Sequence, residues 1–279
     1  MSNTKAFLKY FGGKYKQAEK IKQLLPTGDR LIEPFVGAGS IFLNTDYHSY
    51  LLADINPDLI NTFKILAAYQ EEFIDRCKEY FTPCTNNLET YNYYRQVFNA
   101  LDMQTISHDG RISKACLFVF LNRHGLRGLC RYNVQGEFNV PYGYYESIYF
   151  PEAEMKSFIN KINSAEIVEF RVADFRETST MARPGDVVYC DPPYTPLSAT
   201  ANFTRYVGEK FSWYDQIELF ALCKKIKLEL GVGSVISNHE TIDASLLYEN
   251  GITNMVKTFV NRSISYKTRV TAPELLACV

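Results

Sequence analysis

The stretch Val187-Val188-Tyr189-Cys190-Asp191-Pro192-Pro193-Tyr194 decides how the chain is read. Its apolar first half suits a buried strand of a parallel sheet, and the two prolines forbid that strand to continue. In open α/β sheets, ligands bind just beyond such carboxyl ends. This end offers a carboxylate on Asp191, a free carbonyl on Pro192 and a stacking face on Tyr194. A planar amino-substituted ring held against Tyr194 can donate both amine hydrogens, one to each acceptor. The amine of adenine is a poor nucleophile because its lone pair is delocalised into the ring. Two fixed acceptors favour the pyramidal form reached in the transition state, where binding energy accelerates chemistry. Asp-Pro pairs are common in plain turns, but Asp-Pro-Pro-aromatic directly after a four-residue apolar strand is not.

Other strand ends lie upstream. Residues 30–36 (RLIEPFV) read as the first core strand, followed by Gly37-Ala38-Gly39-Ser40 and a helix through Ile41 and Leu43. Glycines let the backbone turn sharply and approach a ligand closely. Phe35, Gly37 and Gly39 are therefore expected to line a cofactor. A second strand, Leu51-Leu52-Ala53, ends in Asp54, placed to accept both hydroxyls of a ribose. A dinucleotide fingerprint needs a third glycine where this chain has Phe42, so a nucleoside cofactor without phosphates fits better. A later strand ends at Val172-Ala173-Asp174-Phe175. Asp174 and Phe175 there either contact the cofactor's base or form a plain helix cap. Residues 5–14 (KAFLKYFGGK) fail as a P-loop, because the earlier glycine is missing and Tyr15 follows Lys14. Lys9, Tyr10 and Lys14 either reach over a nearby site or belong to a solvated basic terminus. An amphipathic helix is expected over residues 15–25, ended by Pro26 and Gly28.

From about residue 57 to 150 the strand–helix rhythm stops. Helical patterns cover 58–80, 90–102 and 112–121, and a glycine-bounded, hairpin-like turn follows through 122–133. Between Gly110 and Gly136 stand Arg111, Lys114, Arg123, Arg127 and Arg131 with no acid, and 137–150 is dense in aromatic residues. A basic, aromatic-bearing insert in a chain of net charge −1 is read as a nucleic-acid surface rather than a solvated helix face, since its arginines gather on a turn. The expected division is a catalytic domain over 1–56 and 152–279 and a target-recognition insertion over 57–151. The rhythm resumes with a helix at 152–163. Beyond Tyr194, a polar lid is expected over 195–208, then a helix at 213–230 and the strand Ser234-Val235-Ile236. His239, just past that strand, has no visible catalytic partner and is read as structural. The tail 255–278 reads as two closing strands around the basic loop 262–269.

The totals agree with one large domain carrying an insertion: 279 residues, 46% of them hydrophobic. Seven cysteines without a CxxC pair and four histidines without ligand spacing predict a reduced, cytoplasmic protein that needs no metal. No apolar run is long enough to span a bilayer, and no signal-peptide core follows Met1. No obligate protein partner is expected.

These motifs together resemble the Dam-type DNA adenine methyltransferases. The resemblance runs nearly the whole chain, through KYFGGK, EPFVGAGSIFLN, ADIN, LNRHG…GLCRYN, GEFNVPYG, DPPYTPLSATANFT and RSIS…ELLA. It implies an α/β, Rossmann-like methyltransferase sheet with a mainly helical DNA-recognition insertion. It also implies S-adenosyl-L-methionine as methyl donor, double-stranded DNA as partner, association with the nucleoid through DNA, and N6 of adenine in GATC as target. By this similarity Tyr10, Lys14, Asp54 and Asp191 would contact the cofactor, and Asp191, Pro192 and Tyr194 would hold a flipped adenine. Lys9, Leu129, Arg131, Asn133, Pro141 and Tyr145 would lie on DNA, joined by Arg123, Leu126 and Arg127 of the basic turn. Two positions depart from the pattern: Tyr10 stands where the family usually has tryptophan or a similar ring, and Leu126 where it commonly inserts an aromatic ring into the duplex. The alternatives are a methyltransferase acting on an amino group of RNA or protein, and a catalytically silent DNA-binding module.

Overall fold

Short apolar runs ended by polar residues set the central strands. The computed structural model describes residues 3–194, 211–249, 251–263 and 269–279. The strands are β1 (Arg30–Glu33), β2 (Ser49–Asp54), β3 (Ile167–Val172), β4 (Asp186–Cys190), β5 (Gly233–His239), β6 (Asn254–Ser263) and β7 (Arg269–Cys278). They form one sheet in the order β3-β2-β1-β4-β5-β7-β6. The first five pair in parallel, and β7 lies antiparallel between β5 and β6. Chain order runs outward from β1 to β3, then restarts at β4 on the other side of β1. The crevice between the carboxyl ends of β1 and β4 is therefore the topological switch point, where such sheets bind ligands.

Both faces of the sheet are covered, which is why β4 and β5 are buried along their full length. Alternation sends neighbouring residues to opposite cores. Leu31, Val187, Tyr189 and Val235 join one core with α1 (Ala18–Leu24), α2 (Pro57–Lys78), α3 (Leu88–Ala100), α4 (His108–His124) and α5 (Glu152–Ser164). Ile32, Val188, Cys190 and Ile236 join the other with α6 (Phe175–Thr180), α7 (Trp213–Leu230) and α8 (Ile242–Glu249). Helices α3 and α4 thus pack on the sheet face opposite α6–α8. The Asn56 side chain caps α2 by accepting from the N–H groups of Asp58 and Leu59. That helix is broken at Gln70, whose φ is 45°.

Three local expectations are corrected. The helix through Ile41 and Leu43 is only a short 3₁₀ turn, Phe42–Asn44. Its continuation is stopped by side chains that take over the backbone acceptors: Asn44 Nδ2 donates to the Ser40 and Thr4 carbonyls, and Thr45 Oγ1 to the Ile41 carbonyl. The helix expected from residue 15 starts at Ala18, because residues 15–17 form a turn instead. Helix α8 was not anticipated. The lid expected at 195–208 and the centre of the basic loop at 262–269 lie outside the described residues.

Candidate active site

At the tip of β4 the chain turns out of the sheet into Asp191, and three elements converge there. The Lys14 ammonium lies 2.9 Å from Asp191 Oδ1, donates to the Gly12 carbonyl at 2.7 Å, and sits 4.9 Å from the centroid of the Tyr194 ring. Lys14 is buried, so this pair is screened little by solvent. Burial nonetheless wins at Asp191 and holds its carboxyl above the ordinary aspartate range, with Lys14 pulling the other way. The Tyr194 ring packs edgewise on His239, with centroids 4.7 Å apart, and its hydroxyl lies 3.4 Å from Glu274 Oε2. β7 makes this possible by placing Glu274 opposite His239 in register. His239, expected to be structural, thus packs against the Tyr194 ring.

The tips of β1 and β2 form the adjoining wall. Asp54 Oδ2 accepts the Gly37 N–H at 3.1 Å, and Oδ1 accepts the Asn56 N–H at 3.0 Å. Burial pushes the Asp54 carboxyl up to about 6 against these N–H groups. Each carboxylate oxygen has a second lone pair, so a hydroxyl pair can still be accepted. Gly37 has φ 49°, and a Cβ there would meet the Tyr10 ring at 3.2 Å. Tyr10 therefore flanks the glycine turn, beside Asp54. Gly39 plays a different part: a Cβ there would meet Phe158 at 3.2 Å, so its lack of a side chain serves packing. Phe35 is half-buried and stacks on Phe175, with centroids 5.7 Å apart. Phe175 itself is a core ring. Asp174 caps α6, accepting the Arg176 N–H at 2.9 Å, and pairs with the Arg176 guanidinium at 3.2 Å.

Sequence reasoning missed Glu33, the last residue of β1. It is buried at the switch point, and Oε1 has no hydrogen-bond partner among the described residues. Burial pushes its carboxyl up to about 8, opposed by the Phe42 backbone N–H and reinforced by Asp191. The signal was present, since an acid ending an apolar strand is what drew attention to Asp54 and Asp191. Among the described residues no cluster of three His, Cys, Asp or Glu is arranged to hold a metal ion. The donor set suits a nucleoside: a carboxylate for hydroxyls, a glycine turn and aromatic faces.

The proposed DNA-facing residues are sorted by burial. Lys9 is clasped by Asn122, whose Oδ1 accepts the Lys9 N–H at 2.8 Å and whose Nδ2 donates to the Lys9 carbonyl at 2.7 Å. Its ammonium lies 4.6 Å from the Tyr145 ring centroid, and burial followed by Arg123 lowers its pKa. Leu126, Arg127, Arg131 and Pro141 are exposed, while Leu129 is half-buried against the core. Arg127 adopts φ 56°, held by its N–H donating to the Tyr145 hydroxyl at 2.7 Å. The Nε and Nη2 edge of Arg131 is spent on Asn139, at 2.8 and 3.1 Å, which leaves the Nη1–Nη2 edge facing outward as a pair of donors. The Asn133 side chain closes the turn 133–137 by accepting from Gln135 and Glu137 and donating to Glu137 Oε2. Antiparallel bridges Tyr132–Phe138 and Gly125–Tyr142 give the hairpin character expected here.

Two basic residues do not belong to that surface. Arg123 is buried, and its guanidinium is spent on the Tyr149 carbonyl at 3.2 Å and the Phe7 carbonyl at 3.5 Å. Lys114 is buried too, 3.5 Å from Asp58. The five-residue basic cluster read along the chain therefore overstates the exposed charge.

Comparison with known proteins gives a consistent result. The model of the D12 class N6 adenine-specific DNA methyltransferases matches residues 10–264. The DNA adenine methylase of Vibrio cholerae is 45% identical, over 95% of this chain and 91% of its own length. That of Escherichia coli K12 is 44% identical over 99% and 96%. That of Serratia marcescens is 45% identical over 99% of both.

Proposed function

The chain belongs to the D12 class of N6 adenine-specific DNA methyltransferases, and from that premise we propose that it methylates adenine within GATC in double-stranded DNA, with the base flipped out of the duplex into the crevice at Asp191. One observation carries this reading. Asp191, Pro192 and Tyr194 leave β4 at the switch point, on the sheet edge that also bears Asp54, Gly37 and Tyr10. Acceptors for an exocyclic amine thus sit beside acceptors for a ribose.

Tyr10, Lys14, Phe35, Gly37, Asp54 and Asp191 would hold S-adenosyl-L-methionine, which when bound supplies a methyl group activated on a sulfonium. The chain's own part is positioning. The Asp191 carboxylate and the Pro192 carbonyl each accept one amine hydrogen, which turns the nitrogen lone pair out of conjugation with the ring. The Tyr194 ring provides the face on which the base stacks. Extruding the base costs about a few kcal/mol in stacking and pairing. Residues 57–151, with Lys9 of the N-terminal segment, supply the surface that repays it: Lys9, Arg127, Arg131, Asn133, Pro141 and Tyr145 face the duplex, and exposed Leu126, with Leu129 behind it, fills the gap left by the adenine. The outward edge of Arg131 matches O6 and N7 of a guanine.

The test is methylation of plasmid DNA, followed by cleavage with nucleases sensitive to GATC methylation. Protection confined to GATC sites is expected. Methyl transfer to adenine at other sites, with GATC sites left cleavable, would overturn the target assignment.

A further inference from the structure

We infer that Gln216, on the first turn of α7, is a positioning residue that fixes the Asp191-Pro-Pro-Tyr194 turn from behind. The inference rests on the reading of that turn as the adenine pocket. Prolines at 192 and 193 have no N–H to give, so the turn cannot be held through those two residues by a strand ladder. The Gln216 Nε2 donates instead to the Pro193 carbonyl at 2.8 Å. Gln216 is 1% exposed, and its own oxygen accepts from Asn238 Nδ2 at 3.1 Å. Asn238, on β5 and fully buried, also donates to the Tyr248 hydroxyl of α8 at 3.0 Å.

The direction of this relay is dictated by groups that have no choice. A backbone N–H can only donate, and that of His239 points at Asn238 Oδ1, 2.8 Å away. The Asn238 amide must therefore turn its NH₂ toward Gln216. The Gln216 oxygen must then face Asn238, and its NH₂ must face the Pro193 carbonyl, which can only accept. Both amide orientations are determined without ambiguity, and the relay runs from β5 through α7 to the turn. Fixing the Pro193–Tyr194 peptide plane sets the direction of the Tyr194 ring and, one peptide earlier, of the Pro192 carbonyl. Those are two of the three groups that grip the base.

Misplacing them should act on turnover rather than on binding. In Gln216→Leu, kcat per folded site, counted by S-adenosylhomocysteine stoichiometry, is expected to fall roughly ten- to a hundredfold. The duplex and S-adenosylhomocysteine dissociation constants are expected to stay within about threefold. Gln216→Asn is the milder variant: it keeps the amide but withdraws it from Pro193, and the same kcat loss is expected. Because Asn238 acts through Gln216, Asn238→Leu combined with Gln216→Leu should be no slower than Gln216→Leu alone. An unchanged kcat per folded site in the Gln216 variants, or fully additive losses in the double variant, would overturn the inference. Asp191→Ala, assayed alongside, separates the two readings. If it is inactive while the Gln216 variants are normal, only the positioning role fails. If it is active, the adenine pocket itself is misassigned.

Discussion

Asp54 shows how a residue legible in the sequence acquires its chemistry only in the fold. A carboxylate closing β2 marks a ligand site; burial behind Gly37 and Asn56 then raises it to about 6. If it accepts ribose hydroxyls, the ionised form is the one that binds. Its pKa in the ligand-free fold lies above the ordinary value, so that form is complete only above about 6 and is lost as pH falls through it. Affinity for S-adenosylhomocysteine should therefore drop between about pH 7 and 5 in the native protein, and much less in Asp54→Ala. At neutral pH, Asp54→Ala should weaken binding by about 1.5–3 kcal/mol, the range for hydrogen bonds to a charged group. Titration calorimetry across this pH range checks both. An unchanged affinity in a folded variant would remove Asp54 from the site. Glu33 ends an apolar strand as Asp54 does, so its signal stood in the sequence. Gln216 was less legible: it is an ordinary polar residue in its local pattern, and only the packing of elements distant in sequence buries it.

At the scale of elements, the N-terminal segment spans the two proposed sites. It carries Lys9 against the 122–133 turn and Lys14 against Asp191, and Asn122 near the end of α4 clasps the backbone of Lys9 itself. Gly128, at φ 63°, completes the clasp: a Cβ there would fall 2.1 Å from Lys9 Cβ, too close for either backbone to stay in place. Gly136, at φ 79°, has nothing within 4 Å of such a Cβ. Gly136→Ala should therefore cost only the left-handed backbone penalty of about 1–2 kcal/mol. Gly128→Ala should cost more in urea unfolding and should also weaken duplex binding. Equal losses in the two variants would show that Lys9 is not held by this contact. The strands were the most legible elements, because β2, β4 and β5 are apolar runs ended by polar residues. Helix α8 was hidden: Ile242 and Leu246 are largely exposed while Ala244 and Tyr248 are buried, so hydrophobicity does not mark its inner face.

Over the whole molecule, charge balance and fold separate two jobs. A net charge of −1 leaves no general attraction for DNA, so affinity must come from a local surface. Which basic residues form it could not be read along the chain, since Lys114 finds Asp58 and Arg123 finds Tyr149 only after folding. Duplex affinity should fall steeply with salt, and Arg127→Ala should lower the log–log slope by about one. Lys114→Met should leave the slope unchanged, whatever it does to stability. A slope reduced equally by both, measured by fluorescence anisotropy over a salt series, would contradict the sorting by burial. The proposed transfer site, at the β1–β4 crevice, and the proposed duplex contacts Arg127 and Arg131 use different residues, so binding and transfer should be separable by mutation. The most direct test is single-turnover methyl transfer by Asp191→Ala on a pre-bound GATC duplex, with duplex affinity measured on the same preparation. If Asp191 holds the adenine amine, transfer is abolished while duplex binding survives; methylation of the adenine at a rate near that of the native enzyme would contradict this role.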